Sequence, residues 1–473
     1  MKKRALLLLS LSALAFHANA FAQTPTPTNA PAETRPRTVS NASRPLPSPT
    51  PAQTSPAQKT AAPAQDATPS SRDASAPADG RNPAAPATTQ STSTPAAGQT
   101  PTPAATPFGS TLPAPSPAPA SGPFVVPSLA PSAPLQPARP LALAKARARI
   151  EDARKTFVTR LTPTGFTSTE LVTIAALDQD SSQVHLLTLP KQTLLRRGSE
   201  VVLTSTLGAN LRLLVMRPNY VNTQVVVSDL SGRQLTPLLI QYPIEKFGRF
   251  REMAYYTSAH PALLSPEVVK AGQHYVRSML DLAAERLKAK GIHVAPALID
   301  IAERLCVVEH VDHERFRNEN RLAIYEEVYA LYALNELNTY RYSVSTAGAG
   351  GMVQMIPSTY QMLRRLYPGV GLNPDFVAGM RNHGNALEAM LLYIQFTWND
   401  LQTNPDVAYA YATKLASQAE LIAAGYNSNP SRLGERIRRG GANWRTAVPR
   451  ETQMYLQIYK SFESLVPLKT RAS

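Results

Sequence analysis

Hydrophobic and polar positions divide the chain into segments with different patterns. Between Thr156 and Tyr242 five short runs are rich in valine, threonine and leucine, namely residues 171–177, 184–189, 200–207, 211–216 and 223–230. Turn signals such as Pro218-Asn219 and Ser231-Gly232 separate them. Short runs with this punctuation predict a small β-rich region. From Ser265 to the end the pattern predicts helices, with a break at a small-residue turn (343–351).

Two helices have clear sequence signals. Ser265-Pro266-Glu267 combines an N-cap residue, a proline at the first helical position and an acid in the first turn. This predicts a helix to about Lys290, closed by Gly291. Residues 141–154, LALAKARARIEDAR, predict a short basic helix before the β-rich region.

The N-terminal part predicts export followed by a tether. Residues 1–22 join a basic start to an apolar run and to A-x-A cleavage candidates, which is typical of a secretory signal peptide. Residues 23–140 consist mainly of Pro, Ala, Thr and Ser, and they predict a disordered linker. We therefore expect an α+β multi-domain protein: signal peptide, linker, a basic helix with a small β-rich module (141–250), and a mostly helical domain (251–473).

The net charge and the cysteine content indicate which partners and which compartment suit the protein. The formal net charge is +15, which favours polyanionic or acidic surfaces. Export argues against nucleic acid as the binding partner. Wall peptides and envelope polymers that carry carboxylates are better candidates. No later stretch predicts a transmembrane helix, so we expect a periplasmic protein. The single Cys306 lies in an apolar run and is expected to be a buried thiol.

The stretch 332–357 holds the strongest candidate chemistry. Glu336 continues a helical stripe of apolar and aromatic residues, namely Tyr325, Val328, Tyr329, Tyr332 and Ala333. An acid on that stripe is expected to lose water, which favours its protonated form. The alternative is an exposed glutamate at a helix end, paired with Arg341.

Several motifs in order resemble one family. Ser345 follows Glu336 by nine positions and opens the turn 345–351, and Gln354 and Pro357 keep the register. The elements 425–427 (GYN) and 451–455 (ETQMY) follow later. Together residues 318–465 resemble the soluble lytic transglycosylases. The chain departs from the family pattern at Leu337, where serine is usual, and at 428–429, where Ser-Asn replaces Ala-Gly.

The resemblance implies a goose-lysozyme-like helical fold and a reaction. Glu336 would be the single acid/base that cleaves the bond between N-acetylmuramic acid and N-acetylglucosamine and leaves a 1,6-anhydro end. Substrate-binding residues would be Ser345, Met352, Gln354, Tyr426, Asn427 and Tyr455. No cofactor and no metal is implied. The expected partner is the peptidoglycan glycan strand, and the β-rich module is a candidate for contact with an envelope assembly.

Two alternatives stay open. One is a lysozyme-like hydrolase with Asp375 or Glu388 as a second carboxylate. The other is a wall-binding or scaffold protein without catalysis. A further cluster, residues 309–314 (EHVDHE), resembles a loose set of metal ligands but lacks the H-E-x-x-H order. A solvated, charged helix end is the expected interpretation there.

Overall fold

The computed structural model describes residues 134–159 and 169–472. The predicted signal peptide and residues 23–133 of the predicted linker lie outside the described residues. The last part of that linker is described, and it runs beside the β-rich region. The Gln136 backbone N–H donates to the Gly232 carbonyl at 2.9 Å, and Gln136 forms an isolated parallel bridge with Arg233.

One antiparallel sheet forms the β-rich region. Its strands are β1 (Leu171–Leu177), β2 (Val184–Pro190), β3 (Glu200–Thr204), β4 (Asn210–Arg217), β5 (Gln224–Ser228), β6 (Gln234–Lys246) and β7 (Arg249–Tyr256). The strand order is β2-β1-β6-β5-β4-β3, and β7 pairs with β6. The five predicted runs thus correspond to β1–β5, and the long hairpin β6–β7 extends the sheet beyond them.

Alternation of side chains explains the inner face of the sheet. In β4 the residues Leu211, Leu213 and Val215 are buried, while their neighbours point outward. Strand β6 contains Pro237, which has no N–H to give to the ladder. Pro237 pairs with Ala176 where the register between β1 and β6 shifts, so the proline sits at an irregularity that tolerates it.

The remainder is helical. The helices are α1 (Leu143–Thr159), α2 (Lys191–Leu194), α3 (Pro266–Ala289), α4 (Pro296–Val308), α5 (His313–Asn318), α6 (Arg321–Asn335), α7 (Pro357–Leu366), α8 (Phe376–Arg381), α9 (His383–Gln402), α10 (Pro405–Ala412), α11 (Gln418–Asn427), α12 (Leu433–Gly440), α13 (Trp444–Ala447) and α14 (Arg450–Leu465). The short 3₁₀ helix Gly351–Val353 precedes α7, and another, Pro430–Arg432, precedes α12.

The capping signals of α3 are confirmed. The Ser265 hydroxyl accepts a hydrogen bond from the Val268 N–H, and Gly291 follows the helix with φ +79°. Helix α9 is buried around most of its circumference, as expected of a helix at the centre of a bundle. Because α3, α4 and α11 pack around α9, the C-terminal part is organised about this helix.

Two hydrophobic clusters join the sheet to the helices. The larger one contains Leu213 from β4, Val276 from α3 and Met390 from α9. Cys306 is buried in the same cluster, as predicted. The structure confirms a β-rich region followed by a mostly helical region, and the goose-lysozyme-like fold stays a prediction.

Within residues 134–159 and 169–472 no helix is both long enough and apolar enough to cross a bilayer.

Candidate functional site

The small-residue turn is closed by its own hydrogen bonds. The Ser345 backbone N–H donates to the Ala349 carbonyl at 2.8 Å, and the Ala349 N–H donates to the Ser345 hydroxyl at 3.0 Å. Gly351 has φ +68°, and a Cβ there would lie 2.4 Å from the Met380 carbonyl oxygen. Glycine is required at this position because α8 approaches the backbone so closely.

Gln354 fixes the end of the turn. It adopts a left-handed conformation with φ 44°, which is uncommon for a residue other than glycine. Its side-chain amide donates to the Gly351 carbonyl at 2.8 Å and to the Ser343 hydroxyl at 3.2 Å. Met352, beside it in the 3₁₀ helix Gly351–Val353, is fully buried. The predicted residues of this segment therefore lie in one loop that is closed by hydrogen bonds.

The helix end that meets this loop is that of α4. The apolar residues before it are buried, and Glu309 follows as the C-cap residue. The next residue, His310, donates from Nε2 to the Met352 carbonyl at 2.9 Å. Burial lowers the pKa of His310 to about 3, so its ring is neutral, and the ring stacks on Tyr340 with centroids 3.4 Å apart. His310 thereby ties the end of α4 to the loop.

Glu309 carries the most perturbed carboxyl near the loop. Loss of hydration raises the pKa of Glu309 to about 8, against a hydrogen bond from Tyr455 and with added repulsion from Glu451. The Tyr455 hydroxyl donates to Glu309 Oε1 at 2.5 Å. The residue as a whole is half-buried. The raised pKa favours the protonated carboxyl at neutral pH.

Tyr426 completes the wall beside Glu309. Its hydroxyl donates to the Val353 carbonyl at 2.7 Å, which joins α11 to the loop. The charge of Glu309 also contributes to the raised pKa of the Tyr426 phenol, after burial, so the two side chains are electrostatic neighbours. Asn427 Oδ1 is buried and has no hydrogen-bond partner among the described residues. Such unpaired buried acceptors are uncommon in folded proteins.

Glu336 follows α6 as its C-cap residue and is exposed to solvent. Its side chain is 54% exposed, and its Oε1 pairs with Arg147 of α1 at 2.9 Å. The same guanidinium donates to the Ala333 carbonyl at 3.0 Å. The expected burial of Glu336 is therefore not what the structure shows, because α6 ends at the surface against α1. Arg341, its alternative partner in the sequence, instead pairs with Glu252 of β7 at 3.5 Å.

The two candidate second carboxylates have structural roles. Asp375 caps α8, with Oδ1 accepting from the Ala378 N–H at 2.7 Å. Glu388 is 2% exposed on α9. It pairs with Arg286 at 2.7 Å and with Lys290 at 2.9 Å. No group of three His, Cys, Asp or Glu side chains in the described ranges is placed to hold a metal ion.

Sequence reasoning missed Glu309, His310 and Glu451 as site residues. The segment 309–314 was expected to be a solvated helix end, yet Glu309 is half-buried. A usable signal was present, since Glu309 directly follows the run Leu305–Val308 on an apolar helix. Of the predicted residues, the structure brings together the loop residues, Tyr426 and Tyr455, and the carboxylate among them is Glu309. No family model, curated protein or solved structure matches the chain.

Proposed function

We propose that this chain is a peptidoglycan lytic transglycosylase in which Glu309 serves as the acid and base. One observation carries the proposal: a carboxyl with a pKa of about 8 lies where the glycine-rich loop, Tyr426 and Tyr455 meet. An acid with a pKa near the working pH can both give and regain a proton. The motif order in the sequence supports the same reaction class.

The proposed reaction needs one such group. Protonated Glu309 donates its proton to the glycosidic oxygen, and the C1–O bond of N-acetylmuramic acid breaks. The resulting carboxylate takes the proton from the C6 hydroxyl of the same sugar, whose oxygen bonds to C1. Glu309 ends protonated, as it began, and the product carries a 1,6-anhydro ring without consuming water. Tyr455 orients the carboxyl through its hydrogen bond.

A hydrolase is the second candidate, because Glu451 raises the pKa of Glu309 and is therefore near it. Hydrolysis by two carboxylates needs the second one ionised, as a base or nucleophile. Burial raises the pKa of Glu451, which works against that role. The single-acid reaction is thus better supported.

The test is digestion of purified wall sacculi by the full exported chain. An anhydro product end is about 18 Da lighter than the reducing end that hydrolysis leaves, so mass spectrometry separates the two reactions. Glu309→Gln should lower the rate by about a hundredfold to ten-thousandfold, the usual contribution of a general acid. Glu285→Gln, on the exposed face of α3, is the surface control and should cleave at the unsubstituted rate.

Glu336→Gln belongs in the same experiment because the sequence spacing selects Glu336. Full activity of Glu309→Gln together with loss of activity in Glu336→Gln would refute the assignment of the acid to Glu309. Absence of any glycan cleavage by the unsubstituted chain would refute the enzyme and favour a wall-binding protein.

We also propose that the enzyme acts in the periplasm. The sequence signal in residues 1–22 favours export to the periplasm, where glycan strands are the substrate. A contact of the β-rich module with an envelope assembly stays a prediction from the sequence.

A further inference from the structure

A basic patch directly follows the Tyr426-Asn427 wall of the site. Arg432 ends the 3₁₀ helix Pro430–Arg432, and Arg436 and Arg439 lie on α12. The spacings of four and three residues place the three side chains along one side of the helix. We call Arg432, Arg436 and Arg439 the arginine cluster.

The cluster is not neutralised by neighbouring acids. Burial lowers the pKa of the Arg436 guanidinium, and the charges of Arg432 and Arg439 lower it further, while Glu435 acts in the opposite direction. In the described part of the chain none of the three forms an ion pair. Arg445, by contrast, pairs with Glu420 at 2.6 Å. The three positive charges outnumber the single negative charge of Glu435, so the arginine cluster is expected to attract an anion.

The wall of the site holds the central arginine in place. Arg436 Nη1 donates to the Ser428 hydroxyl at 3.1 Å. That hydroxyl in turn donates to the Ala424 carbonyl of α11 at 2.7 Å. Ser428 stands where the family pattern has alanine, so this departure supplies the hydroxyl that anchors Arg436. The guanidinium is therefore anchored at the residue that directly follows the Tyr426-Asn427 wall.

We propose that the arginine cluster binds carboxylates of the peptides attached to the glycan strand, so that the site prefers peptide-bearing strands to bare glycan. This inference rests on the proposed function. Each peptide is attached to a muramic acid, the sugar whose bond would be cut, and it carries carboxylates. A guanidinium presents paired N–H donors that match a carboxylate in geometry and charge. In a peptide-bearing strand the lactyl carboxyl of each muramic acid is tied up in the amide bond to the peptide, so the N-acetyl sugars themselves offer no such partner.

A binding experiment tests the inference without requiring cleavage. The full chain carrying both Glu309→Gln and Glu336→Gln is sedimented with sacculi, and with the same strands stripped of peptide by an amidase and then amidated at the lactyl carboxylates that the amidase frees. We expect binding to peptide-bearing strands to be about tenfold tighter, as charge-assisted contacts to carboxylates allow. Replacing the arginine cluster by glutamine should abolish that preference while leaving binding to stripped strands unchanged.

The matched control removes the same number of charges from exposed positions outside the cluster, namely Lys270, Lys288 and Arg365. This variant should keep the preference. Ser428→Ala, which keeps every charge but frees Arg436, should reduce the preference to about threefold, in line with loss of one anchoring hydrogen bond. Coincident thermal unfolding of all variants shows that they fold.

Three results would overturn the inference: equal binding to both kinds of strand, no binding to either, or an equal loss in the control variant. Cleavage by the unsubstituted chain separates this failure from that of the proposed function. If anhydro ends form equally on both kinds of strand, the enzyme stands and the arginine cluster has no such role. If peptide-dependent binding occurs without cleavage, the arginine cluster stands and the enzyme does not.

Discussion

Replacing Glu309 by glutamine removes the free-energy cost of ionising this carboxyl and keeps the shape of the side chain. Glutamine keeps the volume and an oxygen that accepts from Tyr455, but it cannot ionise. In the folded chain the pKa of Glu309 is raised from its ordinary value of 4.5 to about 8. A difference of this size, at about 1.4 kcal/mol for each pH unit, corresponds to about 5 kcal/mol at most.

The direction in which pH changes the free energy of unfolding follows from how many protons the folded and the unfolded chain bind. Below pH 4.5 the carboxyl is protonated in both the folded and the unfolded chain, so it adds no dependence on pH. Between 4.5 and about 8 the folded chain keeps a proton that the unfolded chain releases, so the free energy of unfolding falls as pH rises. Above about pH 8 both states are ionised and the full cost persists.

The assay is urea unfolding followed by circular dichroism, at intervals from about pH 5 to about pH 9. Other titrating groups are common to both proteins and cancel in the difference between them. Glu309→Gln should gain stability relative to the unsubstituted chain as pH rises, by about 5 kcal/mol at most. A difference that is the same at both ends of the range would refute the raised pKa and, with it, the reasoning that selects Glu309. Glu336→Gln, which breaks an exposed pair, should change stability by less than about 1 kcal/mol.

Two glycine substitutions test the close approaches that position the site. Gly351→Ala should displace the loop and lower both the melting temperature and glycan cleavage, because its Cβ would lie 2.4 Å from the Met380 carbonyl oxygen and φ is +68°. Gly272→Ala should push α3 away from α6 and cost about 2–3 kcal/mol of stability in urea unfolding, because its Cβ would lie 1.9 Å from the Tyr329 carbonyl oxygen. Unchanged melting temperatures would contradict either approach.

Local patterns predicted the parts of the fold that local forces determine. Runs of β-branched and leucine residues matched β1–β5, and the caps of α3 were found because a Ser-Pro pair acts within one turn. The strands β6 and β7 were not singled out. Pro237 and Pro243 lie within β6, and a charged segment joins the two strands, so the local pattern reads as a break. The pairing of β6 with β1, β5 and β7 compensates for this weakness through tertiary contacts.

The choice between Glu309 and Glu336 as the proposed acid depends on tertiary structure in the same way. Spacing along the chain selects Glu336, which precedes Ser345 by nine residues. In the structure the loop contacts the end of α4 instead, through the hydrogen bond between His310 and the Met352 carbonyl. Along the chain the helices α5 and α6 separate Glu309 from the loop. A pattern of fixed spacing cannot reveal which of two helix ends reaches a loop. Burial and hydrogen bonding distinguish them, and they favour Glu309.

The β-rich module has a physical role in this arrangement, even before any partner is considered. Glu252 on β7 accepts from Arg381 of α8 at 2.7 Å. Met380, the residue before Arg381, packs against the loop, and its carbonyl oxygen would lie 2.4 Å from a Cβ on Gly351. A displacement of the hairpin β6–β7 would therefore act on the loop through α8. Because the sheet and the helices also share a hydrophobic cluster, the module supports the shape of the site. These contacts explain why the β-rich module docks on the helices, whereas its contact with an envelope assembly stays a prediction.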